Sequence, residues 1–327
     1  MAKMRIGLLG ASRIAPRAII QPAADHPDAM ITAVGARDLA KAEAYAAEHG
    51  IPAAVGSYQE LVARDDVDMV YCGLPPSAHL ETCRAASIAG KMLLIEKPFA
   101  FDADAARAIA AAAQAAGRPA LEAYHYRFHS LFARAESLLR GGAIGRVLRA
   151  RGEFEAEIAR VPGELRWIPE MGGGGTMDLG CYVLHAFRTL LGEGEVLSAT
   201  ADMIDGVDAT LEAELRFGDV PAWMHCSMLA PRNDWIEIEG TSGTLRMNRF
   251  VSPHHGGNLM LTTPRGTIEE APSGPSTYTA QLDHAVRVFR GEAAPLTGGV
   301  DAIATMELID ACRIRGRQGT RQDRRPG

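Results

Sequence analysis

Residues 4–15 read MRIGLLGASRIA. Met4–Leu9 is a short and almost wholly apolar run, the pattern of a strand covered on both faces in a parallel sheet. Gly10, Ala11, Ser12, Arg13, Ile14 and Ala15 follow at once. This is the glycine-rich turn of a strand–helix–strand unit in which Ser12 and Ala15 replace two of the three glycines. Small residues still permit a tight turn and a close approach of backbone to a pyrophosphate, which sits at a helix N-terminus. Taken alone the turn is a weak pattern. Its context gives it weight.

Further strands are expected at 30–35, 67–72 and 92–95, and helices at 39–49, 77–89 and 102–116, the last ended by Gly117. Strand and helix alternate with short connections, which predicts an α/β doubly wound parallel sheet of the Rossmann type over residues 1–122. Beyond about residue 123 the alternation stops. Segments 147–158, 196–204, 209–217, 222–228 and 235–240 read as longer strands, with shorter ones at 244–247 and 259–262. They predict a C-terminal α+β domain, 123–315, built on a large, open, mostly antiparallel sheet. Its exposed face would carry Trp223 and Met228, an interaction liability in a monomer. Helices at 278–289 and 300–313 close the chain, the last expected to pack back on the first domain. Residues 316–327 read as a loose polar tail.

The chain has 327 residues, 47% hydrophobic and 23% charged, with a formal net charge of −6. That is an ordinary globular composition without a basic footprint, so nucleic acid is not an expected partner. No apolar run reaches the roughly 18 residues of a membrane span. The N-terminus lacks the apolar segment and cleavage site of a secretory signal. Five cysteines, Cys72, Cys83, Cys181, Cys226 and Cys312, are scattered and without a CxxC, which suggests reduced thiols in a cytoplasmic protein. His254 and His255 are adjacent in a Gly/Pro-rich loop with no spaced partner, so they read as surface residues and no metal is expected.

The end of the second strand bears on the dinucleotide. An acidic residue there would accept hydrogen bonds from a free ribose 2′-hydroxyl and repel a phosphate. Here Ala36, Arg37 and Asp38 stand at that point. Arg37 can hold a 2′-phosphate bidentately, favouring NADP(H), with NAD(H) the alternative because a lone arginine after a strand is also a common surface charge.

In the middle of the chain, residues 172–192 read GGGGTMDLGCYVLHAFRTLLG. Four glycines allow a backbone excursion, and Thr176 is placed to cap the helix that follows. Leu179, Val183, Ala186 and Leu190 form one buried stripe, while Asp178, Tyr182 and His185 fall at i, i+4 and i+7 on another. The pattern fits a solvated polar face or three protonatable groups on one rigid surface. Upstream, Glu96-Lys97-Pro98 follows a strand at the carboxyl edge of the sheet, where doubly wound folds bind ligands. A lysine is a poor structural choice there, because burying an ammonium without a partner is costly.

With GASRIA near the start and GGGGTMDLGCY in the middle, the Glu96-Lys97-Pro98 triplet resembles the Gfo/Idh/MocA oxidoreductases over nearly the whole chain. The runs GARDLAKAEAYAAEHGIP (35–52) and YCGLPPSAHL (71–80) are most similar to its dihydrodiol and xylose dehydrogenase branch. The resemblance implies that Lys97 contacts the nicotinamide ribose and the substrate, that Asp178 orients substrate or lysine, and that Tyr182 handles the proton. It also implies a homodimer or homotetramer paired through the C-terminal sheet. Gly10, Ser12, Arg13, Ile14, Arg37, Leu74, Pro75, His79, Glu96 and Lys97 are the candidate cofactor contacts. For His79 a place near the cofactor is set against simple capping of the turn by Ser77. Tyr126, Arg127, Phe128, Trp167, Asp178 and His185 are the candidate substrate contacts. Plain packing is the alternative for Tyr126, Arg127, Phe128 and Trp167, and a hydrogen bond at the pocket rim or to the second domain for His185. Ser130 stands where the family usually has proline.

The expected activity is hydride transfer between a nicotinamide and a secondary alcohol, hemiacetal or carbonyl of a small polyhydroxylated substrate, an aldose or cyclic diol. A tyrosine of ordinary pKa near 10 needs a neighbouring cation to act at neutral pH, the part expected of Lys97. Two alternatives share these residues: a dinucleotide-binding regulator that has lost the chemistry, and an aldose–aldose oxidoreductase that keeps its cofactor bound.

Overall fold

A computed structural model of the chain describes residues 2–319. Its contacts gather into two compact units. The first comprises Met1–His125 with Tyr278–Ile303, and the second Tyr126–Thr277 with the chain from Ala304 onward.

The first unit is a six-stranded parallel sheet of β1 (Met4–Leu9), β2 (Ala29–Gly35), β3 (Ala53–Val55), β4 (Met69–Cys72), β5 (Met92–Ile95) and β6 (Ala120–Glu122). Their order, β3-β2-β1-β4-β5-β6, is doubly wound, with its switch point between β1 and β4. The connections are α1 (Gln21–Asp25), entered through a π-turn at Pro16–Ile20, then α2 (Leu39–His49), α3 (Tyr58–Val62), α4 (Pro76–Ile88) and α5 (Ala103–Ala115). Side-chain caps set several starts: Asp38 accepts from Lys41 N–H, Ser57 from Glu60 N–H, and Asp102 from Ala105 N–H. The three-residue β3 and five-residue α3 are too short to leave a period in the sequence.

The second unit begins with α6 (Ser130–Arg140) and holds α7 (Cys181–Leu191). His129 caps α6 by accepting from Leu131 N–H at 3.1 Å, and Ser130, in place of proline, donates its hydroxyl to the Ser273 carbonyl at 2.6 Å. Eight strands form one sheet: β7 (Val147–Glu155), β8 (Gly194–Ile204), β9 (Val207–Phe217), β10 (Val220–Ser227), β11 (Asn233–Gly240), β12 (Gly243–Asn248), β13 (Asn258–Thr263) and β14 (Gly266–Glu270). The order is β14-β13-β12-β11-β7-β10-β9-β8, antiparallel throughout except for the β7–β10 pair. α7 lies on one face against β7, β9 and β10, and Gly152 of β7 admits the side chains of Val183 and Phe187. The opposite face carries Trp223 stacked parallel to His225. Met228 is not on it. It lies beyond β10 and is fully buried, its N–H bonded to the Ala209 carbonyl and its carbonyl to Ile158 N–H.

The closing helices are α8 (Thr277–Phe289) and α9 (Val300–Gln318). It is α8, not the last helix, that completes the nucleotide-binding unit. Leu282, Ala285 and Val286 join Ile6, Leu8, Tyr71 and Leu94 in one core cluster, and Arg290 pairs with Asp28 at 2.7 Å. From Ala304 onward α9 belongs to the second unit, where Gly316 lets it settle on Leu211 and Ala201. Helix therefore continues into the stretch read as a loose tail; residues 320–327 lie outside the described residues. Among the described residues no helix is long and apolar enough to cross a membrane.

Candidate active site

The first unit supplies a turn at the switch point. Gly10 has φ +90°, and a Cβ there would stand 2.6 Å from Leu74 Cδ2, so only glycine lets the turn close against the β4–α4 loop. Gly73 likewise makes room for Ser12, whose Oγ accepts from Ala15 N–H at 3.3 Å and whose carbonyl accepts from Tyr45 Oη at 2.9 Å. Gly10, Ser12, Leu74 and Pro75 thus meet at the carboxyl ends of β1 and β4, with Arg13 exposed and Ile14 half-buried beside them. The small side chains and the close backbone approach fit a dinucleotide there.

Arg37 is exposed beyond β2, next to Tyr58. Burial raises the Tyr58 phenol pKa, and Arg37 pulls it back. The only acid close by in sequence, Asp38, has its carboxylate turned to the α2 cap. Glu96 and Lys97 follow β5, and the Lys97–Pro98 peptide is cis. Burial lifts the Glu96 carboxyl above its ordinary range, while the Tyr71 hydroxyl, donating at 2.7 Å, and Lys97 act against that rise. His79 lies under the turn that Leu74 closes. Its ring is fully buried, with Nε2 2.8 Å from the Leu74 carbonyl and Nδ1 3.1 Å from the Phe99 carbonyl, so both nitrogens face protein backbone.

The second unit supplies the α7 face. The glycine loop does admit a close approach, but by the protein's own Asp208. A Cβ on Gly174, at φ +126°, would overlap Asp208 Oδ1. Asp208 Oδ2 accepts Thr176 N–H at 2.7 Å and the Thr176 hydroxyl at 2.5 Å. Thr176 therefore does not cap its helix; it donates to the buried carboxylate that does. Desolvation raises the Asp208 pKa, and the Thr176 bonds hold it back. Asp208 sits on β9, 32 residues further along, with no local pattern to announce it.

α7 has no solvated face. Cys181 to Arg188 are all buried, with Tyr182 6% and His185 1% exposed. Tyr182 packs its ring on Phe154 and Tyr126, at centroid distances of 5.5 and 6.0 Å. The Tyr126 hydroxyl and His185 Nδ1 share a 2.6 Å hydrogen bond. Asp178 accepts from Arg166 Nε at 2.7 Å, and Arg166 also donates to Glu164 at 2.9 Å. The two carboxylates, Asp178 foremost, raise the Arg166 pKa. Tyr182, His185 and Tyr126 are thus brought together, and Asp178 is joined to Arg166 and Glu164. Arg127 is drawn away into an ion pair with Glu136 at 3.0 Å and lies over Phe132. Phe128 is half-buried. Trp167 donates its indole N–H to the Ile158 carbonyl at 3.1 Å, with Arg160 over its ring. Among the described residues no group of three or more His, Cys, Asp or Glu could hold a metal ion.

A parallel dinucleotide-type sheet, a lysine at its carboxyl edge and a buried helix carrying Asp and Tyr define a nicotinamide-linked oxidoreductase. Residues 4–124 match the oxidoreductase family with an NAD-binding Rossmann fold, and residues 132–246 match the GFO/IDH/MocA C-terminal domain. The chain belongs to the Gfo/Idh/MocA family and is an oxidoreductase. It is 31% identical to D-xylose 1-dehydrogenase (NADP(+)) 2 of Haloferax volcanii, over 94% of this chain and 96% of that one. It is 35% identical to trans-1,2-dihydrobenzene-1,2-diol dehydrogenase of Xenopus laevis, over 70% of this chain and 69% of that one. Among solved structures, aldose-aldose oxidoreductase from Caulobacter crescentus superposes with TM-score 0.88 at 26% identity, over 97% of this chain and 98% of that one. KijD10, a 3-ketoreductase from Actinomadura kijaniata complexed with NADP and TDP-benzene, gives TM-score 0.88 at 25% identity over 98% of both chains.

Proposed function

We propose that the chain is an NADP(H)-dependent oxidoreductase acting on a secondary alcohol, hemiacetal or carbonyl of a small, uncharged, polyhydroxylated substrate, an aldose or a cyclic trans-diol. The observation that carries this reading is the segment where a π-turn, Thr176–Gly180, bearing Asp178 and capped by Asp208, runs directly into α7 with its buried Tyr182. Bound nicotinamide supplies the hydride acceptor or donor. Tyr182 Oη takes the proton from the substrate hydroxyl or returns it, and Lys97 is the contact to the nicotinamide ribose. Asp178, held through one oxygen by Arg166, presents its carboxylate to a substrate hydroxyl. Glu164, Arg166 and Asp178 together bring two negative charges against one positive, which favours a neutral substrate over a nucleotide diphosphate. In this reading the first unit holds the dinucleotide, and the second holds substrate and partner subunit.

Assays with NADPH and NADH across aldoses, inositols and diols test the reading: turnover with NADPH on a sugar or diol supports it, and binding without turnover on any of them points to a regulator. Arg37→Ala should weaken NADPH binding by about 10- to 100-fold, the worth of a charge-assisted contact to phosphate, and leave NADH binding nearly unchanged. An equal effect on both removes Arg37 from the 2′-phosphate. The structural likeness to an aldose-aldose oxidoreductase supports a second reading, in which the cofactor is not released. Dinucleotide absorbance retained by the purified protein would distinguish it.

The open face of the second sheet holds a groove of about 490 Å³ lined by Arg149, Arg151, Glu214, Pro221, Trp223 and Trp235. Apolar rings amid both signs of charge suit a self-complementary contact, and we assign this face to a homodimer or homotetramer. Trp223→Glu is expected to yield monomers in sedimentation at micromolar concentration; an unchanged assembly places the interface elsewhere. All five cysteines are buried free thiols, which supports a reducing cytoplasmic setting.

A further inference from the structure

Both ring nitrogens of the fully buried His79 meet backbone carbonyls, Leu74 at 2.8 Å and Phe99 at 3.1 Å. Carbonyl oxygens only accept. A neutral imidazole carries a single N–H and would turn its lone pair on one of them, so the geometry is satisfied only by the doubly protonated ring. The two carbonyls are not equivalent pieces of backbone. Leu74 is the residue whose side chain touches Gly10 at the dinucleotide turn. Phe99 lies two residues beyond Lys97, and its N–H is held at 2.8 Å by the Glu122 carboxylate. Phe99 is therefore pinned through both of its flanking peptides, by Glu122 at the N–H and by His79 at the C=O.

A buried cation needs anionic neighbours. The titratable groups around His79 are Cys72 at the end of β4, Cys83 one turn further along α4, and Glu96 at the end of β5. The Cys72 thiol pKa is drawn well below its usual range, first by its hydrogen bond with Cys83 and, against desolvation, by His79. Burial alone would lower the His79 pKa; Cys72 and the two carbonyls outweigh it and leave it raised. A basic group whose folded pKa is raised lends stability that is fully present below its unfolded pKa of about 6.5 and is lost as pH climbs through the folded value.

We propose that His79 is a positioning residue, charged in the working enzyme, that ties the dinucleotide turn at Leu74 to the Phe99 peptide and so holds Lys97 in register with the cofactor. The catalytic consequence rests on the reading of Lys97 given above. Loss of the His79 proton releases one carbonyl, and activity falls on the alkaline side without any change at the reacting atoms.

Nitrogen NMR of the full-length protein saturated with NADPH tests the charge directly. At pH 8, where an ordinary histidine is neutral, one ring is expected to keep two N–H protons with nuclear Overhauser contacts to Leu74 and Phe99. Only neutral histidines at that pH would overturn the proposal. This measurement needs no substitution, so it stands even if a variant fails to fold. In kinetics, His79→Gln, which cannot serve both carbonyls, is expected to raise the NADPH KM, to lower kcat by about tenfold and to lose the alkaline limb that belongs to His79. An unaltered pH profile overturns the positioning role. Full activity in Lys97→Met with the imidazolium still present would instead overturn the functional reading and the link to catalysis, while the charged clamp stands.

Discussion

Tyr182→Phe is expected to lower kcat by roughly 10²–10⁴-fold, the range lost with a positioned acid or base, while NADPH affinity stays close to that of the parent. The selectivity follows from how the side chain is held. Its ring is packed on Phe154 and Tyr126, and phenylalanine keeps those contacts, so α7 does not move. Only the phenolic oxygen, the proposed proton carrier, is removed. A fall in kcat and kcat/KM together, with binding intact, marks an interaction made in the transition state. Steady-state kinetics beside a fluorescence titration of NADPH decide it, and near-normal turnover would remove Tyr182 from the reaction.

The largest structural effect is expected from Gly174→Ala. The position has φ +126°, which side chains other than hydrogen resist, and a Cβ would overlap Asp208 Oδ1. Backbone strain and overpacking each cost about 1–3 kcal/mol, so a loss of roughly 3–5 kcal/mol follows, a fall of about 4–7 °C in Tm. Displacement of Asp208 would also strip Thr176 of both its bonds, loosening the start of the helix that carries Asp178 and Tyr182. Activity should therefore fall even well below the new Tm. Calorimetry and activity at 20 °C check the two parts, and a Tm within a degree or two of the parent would show that the loop can yield.

The nucleotide-binding sheet was legible because strands covered on both faces read as continuous apolar runs, as in Met4–Leu9 and Met92–Ile95. The family was legible because Glu96-Lys97-Pro98 and the run GGGGTMDLGCY are, in residue type and spacing together, unusual for structure alone. What escaped was set by distant partners. Asp208 reads as one more acid on a strand, and only the fold brings it under the glycine loop. Arg127 and His79 are likewise held by partners that no local pattern announces, Glu136 and two backbone carbonyls. Met228 looked exposed because its strand was extended past its end at Ser227. α8 carried no local sign that it would return to the first unit; an amphipathic helix fits either sheet.

That return has a consequence for synthesis on the ribosome. The core under β1 and β4 is closed by Leu282, Ala285 and Val286, so the N-terminal sheet emerges long before the residues that cover it. The centre of the other sheet is delayed too, since β7 must wait for β10 and β11 to arrive on either side. The first unit is complete only when the chain has been made as far as Ile303, and the second only after that. A nascent chain stalled after His125 should hold apolar surface open to chaperones, and a fragment cut there should not be a stable dinucleotide-binding module.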